Sequence, residues 1–320
     1  TGLRRVLVWA RLVLTAHDSM SGTPLATSLQ TRFIFGCNTD VSNNGSWTND
    51  DTISYVAGHT IVLYNTTDKR QRFLQAQDIS GVITAYASGP GKRLAAVAER
   101  GDKPQVHVFD LRTFRRKKTL TAQEGTSKEF VAIQFSADDQ LMVTLTGAPD
   151  WTLTVWNWAK AKVIASLEIS PTGHTINDIC FSPIDTTVLM AIGDDYVKYF
   201  RTSEKEMRIL HESHIPGQNF LAYCWMRSPE DHALVGSEQG KILLFRQGQY
   251  SMTILNPPGD HGMPVTSLTA VPGGFVAGSA ERIYFYVYDD MRADQLLYDD
   301  QVKLITYLET DLFHGMVLNM

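Results

Sequence analysis

The stretch QVHVFD at 105–110 decides the fold, because it is one of six places where a short β-branched or aromatic run closes on an aromatic and a polar residue. Working outward, the others end in Tyr64-Asn65, Trp156-Asn157, Phe200-Arg201, Phe245-Arg246 and Tyr288-Asp289. The aromatics are spaced 45, 47, 44, 45 and 43 residues apart. A period near 40 to 45 residues with one such run per period is the mark of a propeller blade: four short antiparallel strands, with this run as the third. The chain reads as all-β.

Each period parses as strand a, turn, strand b, loop, strand c, turn, strand d. Strands a run into polar turns such as IQFSADDQ at 133–140 and CFSPIDTT at 180–187, where Pro presets a turn dihedral and Asp and Ser side chains bond nearby amides. Strands b follow as LAAVAER, LMVTLTG, VLMAIGD, ALVGSEQG and FVAGSAER, small where inner strands converge on a channel. Gly147, Gly193, Gly236 and Gly278 fall near their ends, where a positive φ or a close backbone approach is expected.

The expected fold is a WD40-type β-propeller with six recognisable blades over 31–305. It departs from that pattern in two ways. Asp follows the aromatic only at Asp110 and Asp289, and the Gly-His pair expected before strand a is replaced by Gly58-His59 before strand c of the first repeat. The Asp-His-Ser/Thr staple is thus mostly missing, so apolar packing between blades, with Trp156 inside it, must carry the stability.

The last blade or the ring closure is expected to be incomplete, because residues 306–320 form a tail too short for a seventh blade. Either the ring has six blades or the sequence stops short of a longer protein. TRFIFG at 31–36 is suited to complete the last blade, since an N-terminal strand commonly closes such rings. Residues 1–30 lie outside the repeat. With Arg4, Arg5 and Arg11, and with Leu3, Val6, Leu7, Ala10, Val13 and Leu14 on one helical side, they read as disordered or helical and have a transit-peptide composition.

Net charge is -5 with a pI near 6.0, so no overall basic field gathers nucleic acid or anionic lipid. No apolar run approaches the roughly 18 residues of a membrane span. Of the 3 cysteines, Cys180 and Cys224 sit at equivalent places in successive repeats and read as small core residues of a reducing compartment.

No constellation for catalysis, cofactor or metal stands out, and no small-molecule substrate is implied. HESH at 211–214 lacks the spacing of a helical zinc site and reads as exposed loop histidines; His59, His107, His174 and His261 are scattered. GPGKR at 89–93 lacks the spacing of a phosphate loop, and no GxSxG elbow occurs. The basic run Arg112, Arg115, Arg116, Lys117 and Lys118 crosses a strand, where alternation should keep it from forming one patch, so a guarded edge competes with an acidic-partner site. Asp289, Asp290, Asp294, Asp299 and Asp300 read as a solvated loop.

Propellers recognise partners through loops at one end of the ring. The b-to-c loops bring Arg100, Asp102, Lys103, Asp150, Trp151, Asp195 and Glu238 toward a common face. Mixed charge around an aromatic suits a protein partner. Trp151 also reads as a residue that starts strand c under the cover of its neighbours.

The strings TISYVAGHTIVLYN, ERGDKP, LRTFRRKK and GAPDWTLTVWNW resemble the N-terminal propeller of the cilia- and flagella-associated protein 57 family, over about Arg32 to Ile305. That resemblance implies a non-enzymatic scaffold of cytoplasm, cytoskeleton and the ciliary or flagellar axoneme. Its implied partners are inner dynein arms or associated regulatory components, whose assembly or regulation it assists, with no nucleic acid, membrane or cofactor. Members of that family continue into further WD repeats and a coiled coil, which leaves both a complete protein and a fragment of a longer one open. The competing reading is a generic cytosolic WD40 adaptor, such as a substrate receptor or coat-type scaffold.

Overall fold

A computed structural model of the chain describes residues 7–14, 27–38, 40–75, 81–122, 125–169, 174–227, 231–254, 262–279, 282–288 and 302–309. The acidic run from Asp289 to Asp300, His261 and the tail from 310 onward lie outside the described residues. β1 (Leu7–Leu14) and β2 (Thr27–Phe35) form a two-stranded sheet. The first repeat supplies β3 (Ser46–Trp47), β4 (Thr52–Ala57), β5 (Thr60–Asn65) and β6 (Arg70–Gln75). The second supplies β7 (Ile83–Ser88), β8 (Leu94–Glu99), β9 (Gln105–Asp110) and β10 (Arg115–Thr121). The third supplies β11 (Phe130–Phe135), β12 (Met142–Thr146), β13 (Thr152–Asn157) and β14 (Lys162–Glu168). The fourth and fifth run through β15 (Ile176–Phe181), β16 (Val188–Ser203), β17 (Glu206–Trp225), β18 (His232–Ser237), β19 (Ile242–Arg246) and β20 (Gln249–Ile254). The sixth supplies β21 (Ser267–Val271), β22 (Gly274–Gly278), β23 (Arg282–Tyr288) and β24 (Val302–Glu309).

The WD40-type propeller is thus all-β, with five of the spacing aromatics on the third strand of their repeats and Phe200 in the second half of β16, a 16-residue strand that takes both the second and third positions of the fourth repeat. The expectation of six separate blades is corrected to five in the ring: four four-stranded sheets and one six-stranded sheet that runs β15-β16-β17-β18-β19-β20. The reason is local. β16 runs for 16 residues through the second and third positions of the fourth repeat, and β17 continues for 20 residues, pairing β16 from Glu206 to His214 and again at Asn219, then β18 from Phe220 onward. The strand that ends the fourth repeat therefore also begins the fifth.

Hydrophobic clusters sit between repeats that follow one another. Val56, Ile61 and Leu63 of the first pack with Tyr86, Val97 and Phe109 of the second. Ala96 and Val108 of the second pack with Phe130, Met142 and Trp156 of the third. Further clusters join the third to the fourth, the fourth to the fifth and the fifth to the sixth. Among the described residues, none of these clusters joins the first repeat to the sixth.

Three expectations are corrected at the ends of the chain. Residues 7–14 pair antiparallel with 27–35, with one irregularity between Trp9 and Ala10, and are neither disordered nor helical; a short apolar run fits strand and helix alike, and an antiparallel partner settles it. TRFIFG does not complete the last blade. The Ile34 amide donates to the Gln71 side chain of β6 at 2.8 Å, and Gln71 returns a donor to the Ile34 carbonyl at 3.0 Å, which ties β2 to the first repeat. β24 fills the fourth position of the last sheet and pairs Arg282 of β23 with Glu309, past residue 305.

None of Gly147, Gly193, Gly236 and Gly278 has a positive φ, and Gly193 and Gly236 answer to close approach. A β-carbon on Gly193 would run into the Thr175 carbonyl oxygen and stand 2.8 Å from the Ile176 α-carbon. One on Gly236 would stand 2.5 Å from a Val265 methyl group. At Gly193 the start of its own repeat's strand a occupies the space, and at Gly236 the connection into the sixth repeat does.

Candidate protein-binding face

Antiparallel repeats put every b-to-c turn and every d-to-a connection at one end of the ring. The predicted residues sit on those turns, and most of them hold the neighbouring connection. Arg100 is exposed and donates through Nε to Glu129 Oε2 at 2.8 Å, with Nη2 on the same oxygen. Asp102 lies 3.4 Å from Lys128 Nζ, and the Gly101 amide donates to the Lys128 carbonyl at 2.9 Å. Both side chains of that pair are well exposed, so it adds little to stability. Lys103 is exposed beside them.

Asp150 accepts from the amides of Thr126 and Ser127 and from the Thr126 hydroxyl, which pins the connection into the third repeat. Asp195 takes φ 63°, a turn conformation Asp tolerates, and its carboxylate accepts from the Gly217 amide at 2.6 Å. Glu238 accepts from Asn219 Nδ2 at 3.0 Å, while Asn177 donates to Asn219 Oδ1 at 2.6 Å. Asn177, Asn219 and Glu238 thus link the fourth repeat to the fifth. Trp151 is apart from the rest: it is 8% exposed and packs with Leu153, Ile169 and Ile176 in the core between the third and fourth repeats. It is covered by its neighbours, and the charged residues around it are what the face presents.

Sequence reading missed an aromatic group at the same end. Tyr196 follows Asp195, stacks on His214 of β17 with centroids 4.6 Å apart, and meets His174 edge-on at 5.0 Å. Lys198 lies with its ammonium 4.7 Å from the Tyr196 centroid, donates to the Ile169 carbonyl at 3.2 Å and approaches Glu212 at 3.7 Å. Thr175, Gly193 and Asp194 line a shallow recess with His174, Tyr196 and Lys198. The signal was in the register, because Tyr196 stands opposite His214. The loop reading of HESH hid it: those four residues lie within β17 and not in a loop.

The channel holds a second polar group. Residues 40–45 enter among the inner strands: Ser42 accepts from the Tyr86 amide of β7 at 3.0 Å and donates to the Thr84 carbonyl at 3.1 Å. Asn43 then reaches Asp178 of β15, donating to its two carboxylate oxygens at 3.2 and 3.0 Å. Burial pushes Asp178 up to about 6, against the Ile179 amide and Asn43, which hold it down. Gln134 of β11 donates to the Tyr223 hydroxyl at 2.9 Å and accepts from the Phe181 amide at 2.7 Å, which braces the third, fourth and fifth repeats. Among the described residues, no group of three or more His, Cys, Asp or Glu is placed to hold a metal ion, and no helix is long and apolar enough to cross a membrane.

No protein-family model matches the chain. Among curated proteins it is similar to the mouse cilia- and flagella-associated protein 57, 29% identical over 222 residues, which is 68% of this chain and 18% of that protein. It is similar to the cilia- and flagella-associated protein 57 C of Tetrahymena thermophila, 29% identical over 182 residues, which is 54% of this chain and 14% of that one. It also matches the mouse cilia- and flagella-associated protein 44, 26% identical over 199 residues, which is 61% of this chain and 10% of that protein. The chain thus spans less than a fifth of the length of these three relatives. The resemblance read from its strings holds across this group. Among solved structures, the β-propeller domain of Cps50 (Swd1) from Myceliophteria thermophila superposes with a TM-score of 0.57 at 14% identity, covering 72% of this chain and 73% of that one. That likeness shows the fold.

Proposed function

We propose that the chain is a non-enzymatic protein-interaction scaffold of the ciliary or flagellar axoneme, and that it assists the assembly or regulation of inner dynein arms. The observation that carries this reading is the similarity to several cilia- and flagella-associated proteins across the repeats. The geometry agrees with it. Asn43 and Asp178 bridge the channel that a propeller would otherwise offer a small ligand, which leaves recognition to the loops.

The proposed docking face consists of Arg100, Asp102, Lys103, Asp150, Asp195 and Glu238, extended by Tyr196 and His214. Arg100, Asp150, Asp195 and Glu238 are held by neighbouring turns, so a partner meets a partly preorganised rim and less ordering entropy is lost on binding. Tyr196 supplies the aromatic anchor that the buried Trp151 cannot.

The test removes the protein from ciliated cells of the organism that encodes it and compares averaged tomograms of the axonemes. Missing or displaced inner arms support the reading. Intact arms, with the protein recovered from soluble cytosol, favour a general WD40 adaptor.

A further inference from the structure

We infer that the outer strands of the first two repeats form a binding surface for an acidic protein segment. Arg115, Arg116, Lys117 and Lys118 open β10, and all four are exposed. Simple alternation would have turned every second cation inward. The register of β10 against β9 shifts between Arg116 and Lys118, and this bulge, on a strand that pairs only with β9 in its sheet, leaves the whole run facing water. The expectation that these residues would not form one patch is thereby corrected.

The patch extends past its own repeat. Arg72 of β6 lies with its guanidinium carbon 4.3 Å from the centroid of Phe114, in the turn that precedes β10, and so joins the outer strands of two neighbouring repeats. Arg70 is exposed at the start of β6. On these two strands and the turns that lead into them, Asp68 and Asp110 are the opposing acids, and Asp110 lies 3.4 Å from Lys117 Nζ. The surface is therefore strongly basic on a chain whose net charge is -5.

The kind of partner follows from that contrast. An extended nucleic acid or a membrane meets the acidic whole as well as the basic patch, whereas a short acidic segment meets the patch alone once salt screens beyond about 8 Å. A strand of seven residues spans roughly 20 Å, room for a few consecutive carboxylates to pair with guanidinium and ammonium groups. Arg72 covers the Phe114 ring, which removes the stacking platform that single-stranded nucleic acid uses. This surface is separate from the loop face proposed above and stands or falls without it.

The experiment measures fluorescence anisotropy of a labelled oligoglutamate peptide against the full chain. Binding is expected, weakening as ionic strength rises from about 0.01 to about 0.15 M. Arg115→Glu with Lys118→Glu is expected to lower affinity about tenfold or more, while Lys205→Glu with Arg208→Glu, two exposed cations of the fourth repeat, leaves it unchanged. Circular dichroism melts on both variants confirm that they fold, and Arg72→Gln is the substitute should the first pair not. The proposal is overturned if the peptide does not bind, if both pairs of substitutions weaken it equally, or if oligouridylate or phosphatidylserine vesicles bind the same patch more tightly than the peptide.

Discussion

The side-chain amide of Asn43 donates to both carboxylate oxygens of Asp178, joining a residue that precedes the first strand of the first repeat to the innermost strand of the fourth. Contacts between successive blades are local; this one crosses the channel. Because burial raises Asp178 to about 6, its folded form holds a proton more readily than its unfolded form. Its contribution to stability is full below about pH 4 and is lost as pH rises through about 6, a change on the order of 3 kcal/mol. Other carboxylates, such as Asp110 and Asp185, are held below the ordinary range and act in the opposite sense, so the informative quantity is a difference between variants.

The expected outcome is that Asp178→Asn gains stability relative to the unmodified chain as pH rises from about 4 to about 7. Urea unfolding at a series of pH values measures it. A difference that stays flat across the range would mean that Asp178 is ionised in the folded protein at no cost.

Trp156 is 3% exposed, lies in the cluster between the second and third repeats, and donates from its indole nitrogen to Thr144 Oγ1 at 2.9 Å. Trp156→Ala removes a large buried ring and strands the Thr144 hydroxyl. A loss of about 3 to 5 kcal/mol is expected from chemical unfolding. An unchanged midpoint would show that the interblade cores do not carry the stability.

Gly193→Ala places a methyl group against the Thr175 carbonyl, a backbone atom that cannot rotate away. Thermal unfolding should show destabilisation of about 1 to 3 kcal/mol. A neutral or stabilising result would mean that the turn into the fourth repeat moves freely and that the close approach does not constrain the sequence.

Much of the architecture was legible because a propeller writes its period into the chain. Tyr64, Phe109, Trp156, Phe245 and Tyr288 stand on the third strands that their spacing marks, and Phe200 stands in the half of β16 that takes the third position. What the period hides is how one repeat meets the next. β17 runs through the join between the fourth and fifth repeats although Pro216-Gly217, with Gly217 at φ 72°, reads as a turn there, and sequence spacing alone gives two blades. The candidate site was half legible: turn positions fix which end of the ring Arg100, Asp195 and Glu238 occupy, but burial decides between anchor and core, and Trp151 proved to be core. Tyr196 and His214 meet only through cross-strand register, and the bulge that exposes Arg115 to Lys118 lies in hydrogen bonding that residue types do not reveal.

The face can be separated from the fold. Trp151→Ala is expected to cost stability as a core truncation, about 3 to 5 kcal/mol, and so cannot report on docking. Arg100→Ala with Lys103→Ala alters exposed side chains and should shift stability by less than about 1 kcal/mol. In a full-length version, that pair is expected to reduce recovery with purified axonemes. Recovery equal to that of the unmodified protein would remove this face from the docking surface.

The most direct measurement expresses the full-length protein with a tag in ciliated cells, strips the ciliary membrane with detergent, and follows the protein through rising salt. The account predicts that it stays with the axoneme after detergent and leaves only when salt extracts dynein arms. Release with the detergent-soluble fraction, or absence from cilia altogether, would contradict an axonemal scaffold.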